Sequence, residues 1–380
     1  MVGYTTGVLN RRDEGMKFGS LFAGVGGFDL GFESAGMECC FQVEWDKYCQ
    51  QVLAYHWPQV PRWSDVSDVN GAELPPVDII TFGSPCQDLS VAGKRAGLEG
   101  DRSNLFFEAT RIIREMRNAT NGIFPRMAIW ENVRGAFSSN EGHDFGSVLD
   151  GLAESGALGI EWAVLDARWF GVPQRRRRIF VIAEFDPARA NRGGKPILAV
   201  GKGSARDLEK SLQARPILAP HVAEGTRAGG LKSAVIGFDH KSGVDNQPSE
   251  DFFPTLKTLC NDAIARPLVL DGQRVNDVRV TDGETSPTLT SRMGTGGNTV
   301  PMMALPVLQQ EKDPGGTAYE VRRLTEIECE RLMGWPDNHT LYRADGQTTP
   351  ATQRYKMCGN GVVAPVAKWV AEQILASEPD

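Results

Sequence analysis

One cysteine in the sequence has the surroundings of a nucleophile. Cys86 lies in the run Gly83-Ser84-Pro85-Cys86-Gln87, directly after the apolar segment Val77–Phe82, which predicts a buried strand. Ligands of open α/β sheets bind at the carboxyl ends of the strands, so this loop would present the thiol to a substrate. Gly83 permits a sharp turn, and Pro85 fixes the backbone beside the thiol. Because a free cysteine is also commonly a small buried apolar residue, the interpretation depends on the neighbouring motifs.

A glycine-rich turn near the amino terminus predicts a binding site for a small cofactor. The run Phe22-Ala23-Gly24-Val25-Gly26-Gly27 would let a ligand approach the backbone where a helix begins. A dinucleotide fingerprint needs G-x-G-x-x-G, and Asp29 occupies the place of its last glycine, which disfavours NAD. Glu44 ends the next predicted strand, where an acid would meet ribose hydroxyls, and Trp45 can stack on an adenine. This pattern suits S-adenosylmethionine as well as a nucleotide, whereas the alternative is a plain glycine turn with a surface glutamate.

Two further motifs carry charged side chains toward the same edge of a sheet. Glu131-Asn132-Val133 directly follows a predicted strand, so its carboxyl group belongs at the edge that holds Cys86. The run Gln174-Arg175-Arg176-Arg177-Arg178 precedes another strand. Alternate residues of an extended chain point to one side, so Arg176 and Arg178 can face a cleft together. Guanidinium groups suit carbonyl oxygens and phosphates, although charge runs are more often solvated.

The elements that position these motifs alternate between strands and helices from Met16 to about Phe185. A helix with one apolar face is predicted over Arg102–Arg117, and a second is capped by Asp46 and ends near Trp57. This alternation predicts an α/β fold with a doubly wound, mostly parallel sheet and helices on both faces. The predicted strands are Lys17–Phe22, Glu38–Val43, Val77–Phe82, Arg126–Trp130, Ile160–Ala167 and Ile179–Ala183.

The composition changes after Glu184 and divides the chain into four predicted parts. Residues 1–15 form a loose tail and residues 16–185 the sheet domain. Residues 186–320 are rich in Gly, Pro, Thr, Asp and Asn and predict a smaller, loop-rich β domain. Residues 321–380 regain helical character, with an apolar stripe over Gly361–Leu375 that would return to the sheet domain.

Bulk properties exclude several classes of protein. No apolar stretch approaches the roughly 20 residues of a membrane span, and the polar amino terminus lacks the core of a signal peptide, so we expect a cytoplasmic protein. The seven cysteines include no C-x-x-C pair and the five histidines are scattered, so we expect neither a disulfide framework nor a bound metal. The net charge of −7 neither supports nor excludes a nucleic-acid partner, because the clustered arginines can form a basic cleft on an acidic body.

Taken in order, the motifs resemble those of the DNA (cytosine-5)-methyltransferases of the bacterial and phage type. They span nearly the whole chain apart from the tail and the middle region, which falls where that family keeps its target-recognition domain. The resembling residues are Phe22-Ala23-Gly24-Val25-Gly26-Gly27, Glu44-Trp45, Asp65-Val66, Gly83-Ser84-Pro85-Cys86-Gln87, Glu131-Asn132-Val133, Gln174-Arg175-Arg176-Arg177-Arg178, Arg323-Leu324-Thr325, Arg331-Leu332-Met333-Gly334-Trp335-Pro336 and Gly359-Asn360-Gly361.

The resemblance implies a class I, Rossmann-like methyltransferase fold and a set of catalytic roles. Cys86 is similar to the nucleophile that adds to carbon 6 of cytosine. Glu131 resembles the acid that contacts ring nitrogen 3, and Arg178 the donor to the ring carbonyl. Arg176 matches a second catalytic arginine near that pocket.

The resemblance also implies S-adenosylmethionine as cofactor, with S-adenosylhomocysteine as product. Glu44 would take the ribose hydroxyls, Trp45 the adenine face and Asp65 the adenine amino group. The other residues implied to hold the cofactor are Phe22, Ala23, Gly24, Gly26, Gly27, Val66, Pro85 and Asn360. Two departures from the family pattern are Leu89, where Phe is common, and Gly361, where Ser is frequent.

The function implied is site-specific methylation of a flipped cytosine in double-stranded DNA. The implied setting is a monomer in the cytoplasm of a bacterial cell or a phage-infected host, with a cognate restriction endonuclease as functional companion. We expect DNA contacts from Thr288-Leu289 and from Arg292–Asn298. The alternatives are a tRNA cytosine-5 methyltransferase, a non-catalytic DNA-binding protein on a methyltransferase scaffold and, more remotely, an NAD-linked oxidoreductase.

Overall fold

A computed structural model gives the fold of most of the sheet domain and of the carboxyl-terminal part. It describes residues 15–85, 105–190, 196–198, 237–239, 262–264, 268–271, 279–280, 286, 288–290, 302–307 and 318–378. Cys86 and the segment Arg292–Asn298 lie outside the described residues, as does the predicted tail apart from Gly15.

A seven-stranded sheet forms the centre of the molecule, in the order β3-β2-β1-β4-β5-β7-β6. Every neighbouring pair from β3 to β5 is parallel, whereas β7 runs antiparallel to both β5 and β6. The predicted α/β fold with a mostly parallel sheet is confirmed, and the short β3 was not predicted. The strands are β1 (Lys17–Leu21), β2 (Glu38–Val43), β3 (Arg62–Trp63), β4 (Ile79–Phe82), β5 (Met127–Val133), β6 (Gly159–Asp166) and β7 (Arg177–Glu184).

The helices begin and end close to the positions that the sequence signals indicate. Asp46 caps α2 because its carboxylate accepts from the backbone N–H groups of Tyr48 and Cys49. The last helix begins at Ala364 instead of Gly361, since Gly361 and Val363 are extended. The helices are α1 (Gly27–Ser34), α2 (Lys47–His56), α3 (Leu105–Ala119), α4 (His143–Glu154), α5 (Pro187–Ala190), α6 (Glu326–Leu332), α7 (Ala351–Asn360) and α8 (Ala364–Ala376).

Two apolar clusters cover the two faces of the sheet. Ile79 and Ile80 belong to different clusters because successive side chains of a strand point to opposite faces. The first cluster includes the apolar faces of α1 and α8, and the second those of α3 and α4. Helix α1 lies so close to α8 that a Cβ atom at Gly31 would be 2.5 Å from that of Ala367. The carboxyl-terminal helix therefore belongs to the same core as the first strand.

Antiparallel strands make up most of the described part of the middle region, which also includes α5. Strands β8 (Gly237–Asp239) and β9 (Asp262–Ile264) pair with each other. A second sheet has the order β11-β10-β12-β13 and comprises β10 (Leu268–Asp271), β11 (Arg279–Val280), β12 (Met302–Val307) and β13 (Ala318–Arg323). The domain boundaries stay a prediction.

None of the helices in the described ranges is both long and apolar enough to cross a membrane.

Candidate active site

The candidate site lies at the sheet edge where β1, β2, β4 and β5 end and where β7 begins. Because β7 is antiparallel to β5, its first residues lie beside the last residues of β5. Val133 pairs with Arg178, and Glu131 pairs with Phe180. Carboxylate and guanidinium groups that are 47 residues apart in sequence thus meet at one edge.

Glu131 and Arg178 form an ion pair there, with 3.3 Å between Glu131 Oε1 and Arg178 Nε. Burial disfavours the charged carboxylate and raises the pKa of Glu131, although Arg178 and Arg176 act in the opposite direction. A carboxyl group with a raised pKa can hold a proton and donate it in a hydrogen bond. The guanidinium beside it can donate to a carbonyl oxygen.

The loop that leads to Cys86 is bound to β5 at its start. Ser84 is buried, its Oγ accepts from Trp130 Nε1 at 3.0 Å, and its carbonyl accepts from Asn132 Nδ2 at 2.9 Å. A Cβ atom at Gly83 would lie 3.5 Å from Glu131 Oε2, so the loop starts against the carboxyl group. Sequence reasoning gave Asn132 no separate role, although it belongs to the quoted motif.

Arg176 and Arg178 line one small cavity together with Glu131, Phe180 and Leu165. Arg175 and Arg177 are exposed, so the prediction that alternate arginines face the same cleft is confirmed.

Arg178 pairs with Glu131, whereas Arg176 contacts backbone carbonyl groups that are distant in sequence. Arg176 is only 2% exposed and donates to the carbonyls of Leu289, Gly359 and Gly361. Burial, with a further contribution from Arg178, lowers the pKa of Arg176 to about 9, against the opposing charge of Glu131. The guanidinium of Arg176 therefore binds the backbone of two distant segments.

The glycine turn after β1 folds back over the end of β2. Phe22, Gly24 and Gly26 have φ angles of 53°, 59° and 85°, a left-handed region that costs a non-glycine residue energy. The Gly24 N–H donates to Glu44 Oε2 at 2.7 Å, and the Asp46 N–H donates to Glu44 Oε1 at 2.8 Å. Burial raises the pKa of Glu44 to about 7, although these two hydrogen bonds favour the carboxylate. The carboxyl group is thus fixed beside the turn.

Trp57 supports this turn and was missed by sequence reasoning. Its ring occupies the space that a Cβ atom at Gly26 would need, at 2.4 Å, and its Nε1 donates to Glu33 at 2.8 Å. By contrast, none of the described residues beyond the immediate chain neighbours of Gly24 has an atom within 4 Å of a Cβ atom built there. Among the described residues, the turn is therefore packed at Gly26 and uncovered at Gly24.

The remaining predicted cofactor residues lie at or near the same edge. Trp45 is 72% exposed directly after Glu44. Asp65 caps a short 3-10 turn by accepting from the Ser67 N–H at 2.9 Å, and it is followed by the buried Val66. Asn360 is the exposed last residue of α7, and Pro85 is exposed at the start of the cysteine loop.

The prediction that Leu289 contacts DNA is wrong for its side chain, which is buried. Leu289 is 1% exposed and packs in the first apolar cluster, while its backbone binds Gln174 and Arg176. Thr288 is partly exposed, and its hydroxyl donates to the Arg175 carbonyl at 2.5 Å. Gln174 belongs to the arginine-rich motif, but the sequence did not predict its contact with the Leu289 backbone.

Within the described ranges, no three or more His, Cys, Asp or Glu side chains lie together in a group that could hold a metal ion.

Comparison with known proteins gives matches along nearly the whole chain. A family model described as C-5 cytosine-specific DNA methylase matches residues 16–376. The type II methyltransferase M.HhaI of Haemophilus parahaemolyticus is 30% identical over 377 residues, covering 97% of each chain. The type II methyltransferase M.BsuFI of Bacillus subtilis is 28% identical over 392 residues, covering 98% of this chain and 77% of its own.

A solved structure of similar fold is that of the S. pombe Dnmt2 methyltransferase. It has a TM-score of 0.58 and 16% identity, and the match covers 95% of this chain and 98% of that one. At this level of identity the likeness concerns the fold alone.

Proposed function

The chain belongs to the C-5 cytosine-specific DNA methylase family, and from that premise we propose that it methylates carbon 5 of a flipped cytosine through a covalent Cys86 adduct. The family and its type II relatives identify a DNA cytosine-5 methyltransferase of the restriction-modification type. The observation that supports the detailed mechanism best is the ion pair between the buried Glu131 and the half-buried Arg178 beside the start of the cysteine loop.

The proposed reaction needs a nucleophile because carbon 5 of cytosine does not attack a methyl donor unaided. The Cys86 thiolate adds to carbon 6, a carbon–sulfur bond forms, and the ring electrons make carbon 5 an enamine carbon. After carbon 5 is methylated, a base removes its proton and the electron pair expels the Cys86 thiolate. The cytosine must leave the helical stack for this chemistry, at a cost of a few kcal/mol.

We assign Glu131 and Arg178 to the charge that develops on the ring. A neutral Glu131 carboxyl group can donate a hydrogen bond to ring nitrogen 3, which is an acceptor in cytosine, and its raised pKa favours that form. Arg178 would donate to the ring carbonyl from the adjacent strand. Arg176 already binds three backbone carbonyls, so we assign it to positioning and not to the base.

The residues around the glycine turn fit S-adenosylmethionine, which supplies an electrophilic methyl group on a sulfonium. Each Glu44 oxygen accepts a backbone N–H and keeps a lone pair for a ribose hydroxyl. The exposed ring of Trp45 would cover the adenine, and Asp65 would accept from its amino group. Because no described residue covers Gly24, a ligand would be able to approach the backbone there.

The other proposed cofactor residues extend this surface on both sides. Val66 is buried directly after Asp65, whereas Pro85 and Asn360 are exposed. Phe22, Ala23, Gly26 and Gly27 complete the turn itself.

We further propose double-stranded DNA as the substrate and a restriction endonuclease of the same specificity as functional companion. The type II names of the relatives support both. A monomeric state and a cytoplasmic location stay predictions.

The test is to incubate the protein with methyl-labelled S-adenosylmethionine and either unmethylated duplex DNA or tRNA, and to identify the labelled nucleoside by mass spectrometry. We expect 5-methyldeoxycytidine from the duplex. Label confined to tRNA, label on another base, or a DNA mobility shift without label would each contradict the proposal.

A further inference from the structure

The proposed adenine contact, Asp65, lies at the start of the short 3-10 turn Val66–Asp68. It follows β3, whose Trp63 carbonyl accepts from the Glu44 N–H at 3.0 Å, so it belongs to the same sheet edge as the proposed ribose contact. Asp65 Oδ1 accepts from the Ser67 N–H at 2.9 Å and from the Ser67 hydroxyl at 2.6 Å. Within the described part of the chain both hydrogen bonds of this carboxylate go to Oδ1, so Oδ2 is left for a ligand.

An arginine of α3 binds the backbone at both ends of this turn. Arg111 Nη2 donates to the Val66 carbonyl at 3.0 Å, and its Nη1 donates to the Val69 carbonyl at 2.8 Å. Val66 begins the turn and Val69 caps its end. Both valines are buried in the second apolar cluster, which also holds the apolar face of α3. Because the planar guanidinium reaches both carbonyls at once, it fixes the orientation of the turn as well as its distance from the helix.

Two glutamates of the same helix orient this guanidinium. Glu108 Oε2 accepts from Arg111 Nε at 2.8 Å, and Glu115 accepts from Arg111 Nη1 at 2.8 Å. Glu115 Oε2 also accepts from the N–H of Gly71, shortly after the turn, at 2.7 Å. A Cβ atom at Gly71 would lie 2.3 Å from the Ile112 carbonyl oxygen, so the backbone packs directly on α3. Side chains of one helix thus bind the backbone at the turn and just after it.

Recognition of the adenine amino group depends on where Asp65 Oδ2 lies, because a hydrogen bond needs about 2.7–3.2 Å between donor and acceptor and weakens when misaligned. The carboxylate is bound to the turn through Ser67, so the turn and the carboxylate move together. By contrast, Glu44 is held by the N–H groups of Gly24 and Asp46, which do not belong to the α3 network. A loosened turn would therefore impair the contact with the amino group and spare the ribose contact.

We propose that Arg111 is a positioning residue that sets the selectivity of the cofactor site for the adenine amino group, an inference that rests on the proposed function. Arg111 acts through the turn, which holds Asp65 Oδ2 at hydrogen-bond distance from the amino nitrogen. Arg111→Lys keeps the positive charge but lacks the planar fork that binds the carbonyls of Val66 and Val69. The turn can then shift while the carboxylate is still present.

The experiment compares the dissociation constants of S-adenosylhomocysteine and of its analogue in which hydrogen replaces the amino group of the purine. Because the two ligands are otherwise identical, the ratio of the constants, measured by calorimetry, isolates the contact to the amino group. We expect a ratio of about 10 or more in the wild type and below about 3 in Arg111→Lys. Arg114→Lys, the same change at an exposed position of α3, should keep the wild-type ratio.

Asp65→Ala tests whether Arg111 acts through this carboxylate. The variant lacks the acceptor, so the ratio should fall to about 1, and adding Arg111→Lys should not change it further. The single-turnover rate of Arg111→Lys at saturating S-adenosylmethionine should equal that of the wild type, since a residue that acts on cofactor binding alone changes affinity and not the chemical step.

Weaker binding of both ligands alone would be a general structural defect, whereas a changed ratio is not. A ratio in Arg111→Lys equal to that of the wild type overturns the inference, and so does a wild-type ratio that survives in Asp65→Ala. A wild type that methylates DNA but binds both ligands equally well overturns it too. A wild type that methylates no cytosine instead overturns the proposed function.

If Arg111→Lys does not fold, hydrogen exchange in the wild type decides. A ligand contact that the α3 network positions must stabilise the network in return. At saturating concentrations of each ligand, S-adenosylhomocysteine should slow exchange of the Gly71 amide, which donates to Glu115, by about 10-fold more than the analogue does. Equal slowing by the two ligands overturns the inference.

Discussion

The two halves of the sheet edge are built from different chemical groups. At β1 and β2, a glycine turn forms the site, and backbone N–H groups hold the titratable carboxyl group of Glu44 beside it. At β5 and β7, ionisable side chains form it, namely Glu131, Arg178 and Arg176. We call the first the cofactor half and the second the base half. From this difference we expect the cofactor half to set affinity and the base half to set the rate of the chemical step.

This separation has a physical reason. S-adenosylmethionine would bring its own reactive group, so its site has to provide shape and hydrogen bonds. Cytosine gains charge only during the reaction, so its site needs groups that interact more strongly in the transition state than with the bound substrate. Substitutions in the two halves should therefore affect different kinetic constants.

The largest effect should come from the base half. Glu131→Ala should lower the single-turnover rate at saturating cofactor by about 10³-fold, since removing one donor to a developing charge typically costs 10²–10³-fold. Glu131→Gln, which keeps an N–H donor, should lose about 10-fold. Rapid-quench measurement of methyl transfer gives these rates. If Glu131→Ala instead lowers the affinity for S-adenosylhomocysteine and leaves the single-turnover rate unchanged, the proposed difference between the two halves is wrong.

Arg178→Ala and the double variant with Glu131→Ala complete a double-mutant cycle. Because Arg178 and Glu131 contact each other, the double variant should lose less than the sum of the two single losses in activation free energy. Additive losses would indicate that the two groups act separately.

Two glycines test whether backbone geometry defines the cofactor half. Gly26→Ala should lower the free energy of unfolding by about 3 kcal/mol, because the new methyl group meets Trp57 at a φ angle of 85°. Gly24→Ala is the matched control: its φ angle is 59° but no described residue contacts the new methyl group, so the loss should be about 1 kcal/mol. Denaturant unfolding without ligand measures both. Equal losses would show that Trp57 does not restrict the turn.

The smallest effect is a pH dependence of cofactor affinity. The pKa of Glu44 is about 7, and ribose hydroxyls would donate to its carboxylate. Below this pH the neutral form predominates and binding must release a proton, so affinity is lost as pH falls through 7. The dissociation constant of S-adenosylhomocysteine should rise about fivefold from pH 7 to pH 6 and level off above pH 8. Calorimetry measures it, and a Glu44→Gln variant that keeps the same slope would contradict the assignment.

Local sequence signals predicted the elements of the cofactor half well. The strand Glu38–Val43 has the bounds that its apolar residues indicate, and Asp46 caps the next helix as expected. Both depend on interactions within a few residues of each other. Trp57 was missed because its contact with Gly26 depends on how α2 packs against the turn.

The base half depends on long-range pairing that the strand–helix pattern does not contain. The direction of β7 places Arg178 beside Glu131, yet the alternating pattern by itself predicts parallel strands. A signal was present: only ten residues separate β6 from β7, fewer than a parallel crossover usually needs. The burial of Leu289 follows from pairing with residues 113 positions away and had no local signal.

The central claim is that Cys86 forms a covalent bond to carbon 6 of the target cytosine. Fluorine at carbon 5 leaves no proton to remove, so the adduct should persist on duplex DNA that carries 5-fluorocytosine at the target. With S-adenosylmethionine present, a denaturing gel should show this complex for the wild type and for Cys40→Ala, a control for a half-buried thiol elsewhere. Cys86→Ala should show none. A complex formed equally well by Cys86→Ala would contradict the account.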